Sequence, residues 1–371
     1  MRISVPKEIK KHEYRVSMTP DAVAECVAFG HDVFVETTAG MGVGFEDADY
    51  IEAGAEICKD AAATFDAGEM IVKVKEPQLH ECAMLRADQT IFTYLHLAAD
   101  KPQAEALCKS GCTAIAYETV TDKHGRLPLL SPMSEVAGRM SVQVGAAALE
   151  RHNGGRGLLL GGVPGVLPAK VVILGGGVSG THAAQMAIGM RADVTLFDIS
   201  DKRLDELDQI YGGRLKTAYS TRRAVAKAVM EADLIIGAVL IPGAAAPKLV
   251  TAEMVRTMKP GAVLVDIAID QGGCFETSKP TTHDAPTFVV DGIVHYCVAN
   301  MPGAVARTSA MALGKATLPF IWRIAKLGVK EALNADSHLA AGLNVADGYV
   351  TYEPVARDLD MEFKMPDWLS A

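Results

Sequence analysis

The spacing of apolar and polar positions changes several times along the chain, and each change marks an element. Up to about Pro128, short apolar runs at 3–5, 32–36, 70–74, 90–95 and 113–117 alternate with helically spaced segments such as 19–28 and 101–110. Short apolar runs separated by helices predict an α/β fold built on a parallel sheet. At Ser131-Pro132 a capping residue precedes a proline at the first helical position. Val136, Met140 and Val144 then recur on one helix face, predicting a helix to about Arg151.

After the turn Asn153-Gly154-Gly155-Arg156-Gly157 and a Gly/Pro loop over 161–168, a second series begins. It reads as strand 169–174, helix 178–189, strand 193–197, helix 201–211, a strand near 215–218, a helix near 222–230, and strands 233–236 and 262–266. Two further runs, 287–290 and 293–298, flank Asp291-Gly292, a strong hairpin signal. A helix over 305–327 then returns the chain to its first lobe. The pattern predicts two Rossmann-like, doubly wound α/β domains joined by long helices. A dinucleotide domain of residues 129–306 is inserted into a discontinuous substrate domain made of 1–128 and 307–371.

The length of 371 residues suits two domains. Lys and Arg total 36 against 45 Asp and Glu, a net charge of −9 with no basic block, so the electrostatic footprint of a nucleic-acid binder is missing. The seven cysteines are scattered and lack metal-ligand spacing, which predicts neither disulfides nor a metal site. The N-terminus has no signal-peptide core, and the most apolar stretches, 158–174 and 234–246, are interrupted by Gly and Pro. No membrane partner is expected, and a cytoplasmic location is. H-E-x-x-H, G-x-S-x-G and P-loop patterns are absent.

Gly175-Gly176-Gly177-Val178-Ser179-Gly180 fits G-x-G-x-x-G between an apolar strand and a helix. In that context Gly175 makes the tight turn, Gly177 admits a pyrophosphate and Gly180 permits close helix–strand packing, while the helix N-terminus, opening at Val178, faces the phosphates. Asp198, at the end of the next strand, stands where an acid hydrogen-bonds the adenosine ribose 2′-OH, which favours NAD over NADP; an ordinary turn aspartate is the alternative. Lys202 and Arg203 are nearby cations able to accept a 2′-phosphate instead.

Outside the glycine loop, charged groups follow several strands. Arg15 could clamp a carboxylate or be a surface arginine. Lys73 and Lys75 share one strand face, where one of them, if buried, could polarise a carbonyl or imine; the alternative is two solvated lysines. His96 ends an apolar strand and is either an acid/base group or a structural histidine. Asp270 follows a buried strand just before Gly272-Gly273, beside a nicotinamide ribose or simply in a turn.

Taken together, several segments resemble the alanine dehydrogenase/pyridine nucleotide transhydrogenase N-terminal family over nearly the whole chain. They are Pro6-Lys7-Glu8-Ile9 with Glu13-Tyr14-Arg15-Val16, Pro132-Met133-Ser134-Glu135-Val136-Ala137-Gly138-Arg139, Gly161-Gly162-Val163-Pro164-Gly165-Val166, the Gly175–Gly180 loop, Gly237-Ala238-Val239-Leu240-Ile241-Pro242-Gly243, Asp266-Ile267-Ala268-Ile269-Asp270-Gln271-Gly272-Gly273, and His295-Tyr296-Cys297-Val298-Ala299-Asn300-Met301-Pro302-Gly303. The resemblance implies NAD-dependent, reversible oxidative deamination of L-alanine to pyruvate and ammonium by a homohexamer. It implies that Arg15 binds the substrate carboxylate, Lys75 the carbonyl oxygen, that His96 is the acid/base group, and that Asp270 shares the proton transfers. Cofactor contacts are implied for Ser134, Asp198, Arg203, Ser220, Val239, Leu240, Ile267, Asp270, Asn300 and Met301. Ala306 and Lys315 depart from the family pattern, which has a proline and a small polar residue there. The alternatives are an NAD(H)-binding subunit of a proton-translocating transhydrogenase and a non-catalytic NAD-binding protein.

Overall fold

The computed structural model describes residues 1–239 and 246–369. From the N-terminus the chain lays down β1 (Arg2–Val5), β2 (Asp32–Glu36), β3 (Glu56–Cys58), β4 (Met70–Val72), β5 (Thr90–Thr93) and β6 (Thr113–Ala116). β1, β4, β5 and β6 are buried almost throughout, as parallel strands covered by helices must be, whereas β2 and the edge strand β3 keep partly exposed positions. Local chemistry sets the intervening helices. Thr19 caps Pro20–Ala28 by accepting from the Ala22 amide, and Asp100 caps Lys101–Ser110, which ends at left-handed Gly111 (φ +73°).

Helix Ser131–Ala148 follows, shorter than the sequence predicts, and Ser131 is its first residue rather than its cap. Then come β7 (Lys170–Leu174), β8 (Asp193–Asp198), β9 (Lys216–Tyr219), β10 (Leu234–Gly237), β11 (Val263–Asp266), β12 (Thr287–Val290) and β13 (Ile293–Tyr296). β12 and β13 pair antiparallel around Asp291 (φ +50°) and Gly292 (φ +76°), the left-handed pair that a tight hairpin requires. Helix Ala306–Leu327 leads to β14 (Leu343–Ala346) and β15 (Tyr349–Val350).

Two units result: Met1–Met133 with Val305–Ala371, and Ser134–Ala304. The first holds an eight-stranded sheet in the order β15-β14-β6-β5-β4-β1-β2-β3, the second a seven-stranded sheet ordered β12-β13-β11-β10-β7-β8-β9. Both are Rossmann-like and doubly wound. β14 runs antiparallel to β6, so the C-terminal strands add a mixed edge to a sheet that the sequence pattern predicts as parallel. In each sheet the chain starts in the middle and winds outward both ways. The winding reverses between β1 and β4 in the first and between β7 and β10 in the second, and ligands bind in α/β sheets beyond the strand carboxyl ends at such points. Among the described residues no helix is long and apolar enough to cross a membrane, and all seven cysteines are free.

Candidate active site

In the second unit the glycine loop leaves β7 at the reversal point. Gly175 has φ +102°, and a Cβ there would lie 2.8 Å from the Ala238 carbonyl oxygen. A Cβ on Gly180 would lie 1.8 Å from the Gly175 oxygen, so helix Val178–Gly189 meets the loop only because position 180 has no side chain. At Gly177, the helix cap, a Cβ would meet nothing within 4 Å, and no side chain caps the helix. The loop is therefore tight where it folds and open where a pyrophosphate would approach, which fits a dinucleotide. A Cβ on Gly138 would lie 2.2 Å from the Ser179 oxygen, so that face of its helix packs on the same N-terminus; Ser134 shares the face one turn earlier.

Asp198 closes β8 with both carboxylate oxygens engaged: Oδ2 accepts from the Gly176 amide at 2.6 Å and Oδ1 from the Ser200 amide at 2.8 Å. It shapes the glycine loop and remains half-exposed. Arg203 is not the flexible cation that the sequence suggests. Its Nε donates to the Gly176 carbonyl at 2.7 Å, Nη2 to the Thr181 hydroxyl at 2.7 Å, and Nη1 pairs with Glu206 at 2.7 Å. Three contacts, to the loop and two helices, would have to be broken before it could follow a 2′-phosphate.

Other carboxyl ends of this sheet carry the remaining candidates. The Ser220 amide donates to the Asp198 carbonyl and the Ile267 amide to that of Gly237, each at 2.9 Å. Val239 is half-buried after β10, Asn300 is left-handed (φ +60°) after β13, and Met301 beside it is buried. Asp270 is exposed on the 3₁₀ turn Ile269–Gln271 beyond β11. Leu240 lies outside the described residues.

The first unit brings Arg15, Lys75 and His96 beyond the carboxyl ends of β1, β4 and β5, neighbours in the sheet at its reversal point. Arg15 is 2% exposed, which removes the surface-arginine alternative. Glu13 grips it with both oxygens, Nε to Oε1 at 2.6 Å and Nη2 to Oε2 at 2.5 Å, and Nη1 reaches the Met133 sulfur at 3.0 Å. Such a fork orients the guanidinium.

The two lysines after β4 do not share a strand face, because the strand ends at Val72. Lys73 is fully buried between Glu8 (3.3 Å) and Glu81 (2.9 Å), a structural ion triad rather than a solvated or catalytic amine. Glu8 also accepts from the amides of Val74 (2.7 Å) and Lys75 (3.2 Å), fixing the segment that carries Lys75. Burial leaves Glu8 above the usual carboxylate range despite Lys73. Among the described residues the half-buried Lys75 ammonium has no hydrogen-bond partner. Burial, with Arg15 and Lys10 adding to it against the opposing Glu76, pushes Lys75 below the ordinary lysine value.

His96 is half-exposed and left-handed (φ +51°), a conformation that a non-glycine residue keeps only when its neighbours hold it there. Glu118, just after β6, is what holds it. Its carboxylate accepts from the His96 amide at 2.5 Å and the Leu95 amide at 3.1 Å and lies 3.8 Å from Nδ1. Tyr94 stacks under the imidazole (5.8 Å, 5° between planes), pinned by its hydroxyl to the Leu129 carbonyl at 2.5 Å. Sequence reasoning does not single out Glu118 or Glu13. Their available signals are an acid two residues past the strand neighbouring β5 and an acid two residues before Arg15. Among the described residues no cluster of three His, Cys, Asp or Glu could hold a metal ion.

Comparison with known proteins identifies the family. Residues 4–137 match the family model described as alanine dehydrogenase/PNT, N-terminal domain, and residues 141–353 its C-terminal domain. A curated alanine dehydrogenase of Halomonas elongata is 61% identical over 363 residues, covering 98% of each chain. A solved structure titled L-alanine dehydrogenase superposes with a TM-score of 0.94 at 52% identity, covering 97% of this chain and 99% of that one. The solved transhydrogenase of Sinorhizobium meliloti gives a TM-score of 0.82 at 25% identity, covering 95% and 99%.

Proposed function

The chain belongs to the alanine dehydrogenase/PNT family, and from that premise we propose that it catalyses the NAD-dependent, reversible oxidative deamination of L-alanine to pyruvate and ammonium. The observation that carries this reading is the placement of a preset guanidinium, an unpartnered ammonium and a half-exposed imidazole beyond three neighbouring strands at one reversal point. The higher identity to alanine dehydrogenases than to the transhydrogenase favours it over the alternative in the same family.

A bound nicotinamide dinucleotide supplies the hydride acceptor in deamination and the donor in amination; the other tasks fall to the chain. Gly175, Gly177, Val178 and Gly180 hold the phosphates, Asp198, Arg203 and Ser220 the adenosine side, and Ser134, Val239, Leu240, Ile267, Asp270, Asn300 and Met301 the remainder. Arg15 binds the substrate carboxylate and so fixes the orientation of Cα. His96 takes a proton from the substrate ammonium, because only a neutral amine can push its lone pair toward carbon as hydride departs. It passes that proton to solvent, then takes one from the water that adds to the resulting iminium and returns it to the nitrogen, which leaves as ammonia while the carbinolamine hydroxyl gives up its own proton. Lys75 stabilises the negative charge that develops on the carbinolamine oxygen and, in reverse, polarises the carbonyl of pyruvate. Asp270 shares the proton transfers at nitrogen. The protein works in the cytoplasm as a homohexamer; the exposed aliphatic side chains Leu159, Val163, Val166 and Leu167 support assembly, since a second chain would cover them.

The test is to follow reduced nicotinamide with alanine plus NAD or NADP, and with pyruvate plus ammonium in reverse. Turnover with NAD and far weaker turnover with NADP is expected, since the Asp198 carboxylate repels a 2′-phosphate and Arg203 is tied down. Folded protein inactive in both directions overturns the reading.

Lys75 gives this reaction a pH signature. The residue works as a cation, so activity is present below its pKa and is lost as pH rises through it. Because burial lowers that pKa, kcat/KM for pyruvate falls on the alkaline side before the ordinary lysine range is reached. In Lys75→Arg, whose guanidinium keeps its proton throughout, the limb disappears from the profile even though the rate drops. A limb unmoved in that variant assigns the titration elsewhere.

A further inference from the structure

The turn that carries Asp270 is held from two sides, and one side is a lysine the reaction does not use. After β11 the chain runs through the 3₁₀ turn Ile269–Gln271 into Gly272 (φ +88°) and Gly273 (φ +80°). Two successive left-handed residues break the regular pattern of main-chain partners. On the inner side, the buried Asp266 collects donors: the Ala268 amide at 3.1 Å, the Cys274 amide at 2.8 Å and the Ser278 hydroxyl at 2.5 Å. A Cβ on Gly273 would lie 2.6 Å from the same carboxylate, so the turn wraps tightly on it.

On the outer side, the acceptors are collected by the segment from Ala246 to Val250. The Ala246 amide donates to the Gln271 carbonyl at 2.9 Å, and the Leu249 amide to that of Cys274 at 2.8 Å. Among the described residues no main-chain donor serves the carbonyls of Gly272 and Gly273, and the Ser278 amide reaches that of Phe275 at 3.2 Å; the exposed Lys248 serves all three, contacting Gly272 closely, Gly273 at 2.9 Å and Phe275 at 3.3 Å. An ammonium brings three protons and no acceptor, which suits three convergent carbonyls and no neutral side chain.

We propose that Lys248 is a positioning residue for Asp270: with Asp266 opposite, it sets the path of the 267–275 turn and hence where the Asp270 carboxylate is presented. This rests on the reading of Asp270 as a participant in the reaction. A group misplaced by a fraction of an ångström loses rate without losing ligand affinity that comes from elsewhere.

The experiment is Lys248→Met, which keeps the stem and removes the donors, alone and combined with Asp270→Asn. The single variant is expected to lower kcat about ten- to a hundredfold with a much smaller change in the KM for NAD, most of whose contacts lie outside this turn. In the Asp270→Asn background it is expected to add no further loss, because the group it positions is gone. An unchanged kcat, or a loss that adds fully to that of Asp270→Asn, overturns the proposal. Should the Met variant fail to fold, Lys248→Gln carries the same comparison. Asp270→Asn with wild-type kcat would instead remove the reading on which the proposal stands.

Discussion

Replacing His96 by alanine lowers kcat in both directions by roughly 10²–10⁴, the usual worth of a positioned acid/base group, while the affinity for NAD is retained. The fold has little reason to suffer. The imidazole is half-exposed; it stacks on Tyr94, which stays pinned to the Leu129 carbonyl, and its Nδ1 lies 3.8 Å from Glu118. The Glu118 contacts that hold the segment run to the amides of Leu95 and His96, which alanine also has. The left-handed backbone does penalise alanine, by about 1–2 kcal/mol, so His96→Asn is the companion variant. Asparagine tolerates that conformation and has no base, and it should be as inactive as alanine at near wild-type thermal stability. The measurements are steady-state rates both ways and titration of cofactor binding by nicotinamide fluorescence. A His96→Asn protein turning over at the wild-type rate would falsify the acid/base assignment.

How much of this was legible in the sequence depended on whether the cause was local. Helices 101–110, 178–189 and 201–211 are readable to the residue, because Asp100, the glycine loop and Ser200 start them and Gly111 and Gly212 follow the ends of the first and third. The hairpin at Asp291-Gly292 is equally local. β14 escapes because its reason for being a strand is β6, more than two hundred residues earlier. The alternation Val72-Lys73-Val74-Lys75 misleads for a similar reason. Past Val72 the amides of Val74 and Lys75 turn to the Glu8 carboxylate, a partner supplied by the segment after β1. The domain limits read from the sequence, 128/129 and 306/307, stand beside unit limits at 133/134 and 304/305, since helices Ser131–Ala148 and Ala306–Leu327 run across or next to the divisions. Within the candidate site, Arg15, Lys75, His96 and Asp270 could be named from strand ends and family resemblance. Glu118 could not. It is one of 45 acids until the sheet order puts β6 beside β5.

The second large effect is at Arg15, where binding and stability are superimposed and can be separated. Arg15→Met removes the group that receives the substrate carboxylate, so KM for alanine and for pyruvate rises steeply and kcat falls with the loss of alignment. The same change leaves the Glu13 carboxylate buried without the fork that faced it at 2.5 and 2.6 Å. Breaking one partner of a buried pair destabilises by about 3–5 kcal/mol, so low activity in the single variant would be ambiguous. Removing both charges with apolar groups of similar volume is often neutral or stabilising. Glu13→Leu combined with Arg15→Met should therefore regain most of the lost stability in denaturant unfolding while remaining as inactive as the single variant. If activity returns together with stability, Arg15 was holding the fold and the substrate carboxylate is received elsewhere. If stability returns and activity does not, the guanidinium acts on the substrate directly, and Glu13 serves to aim it.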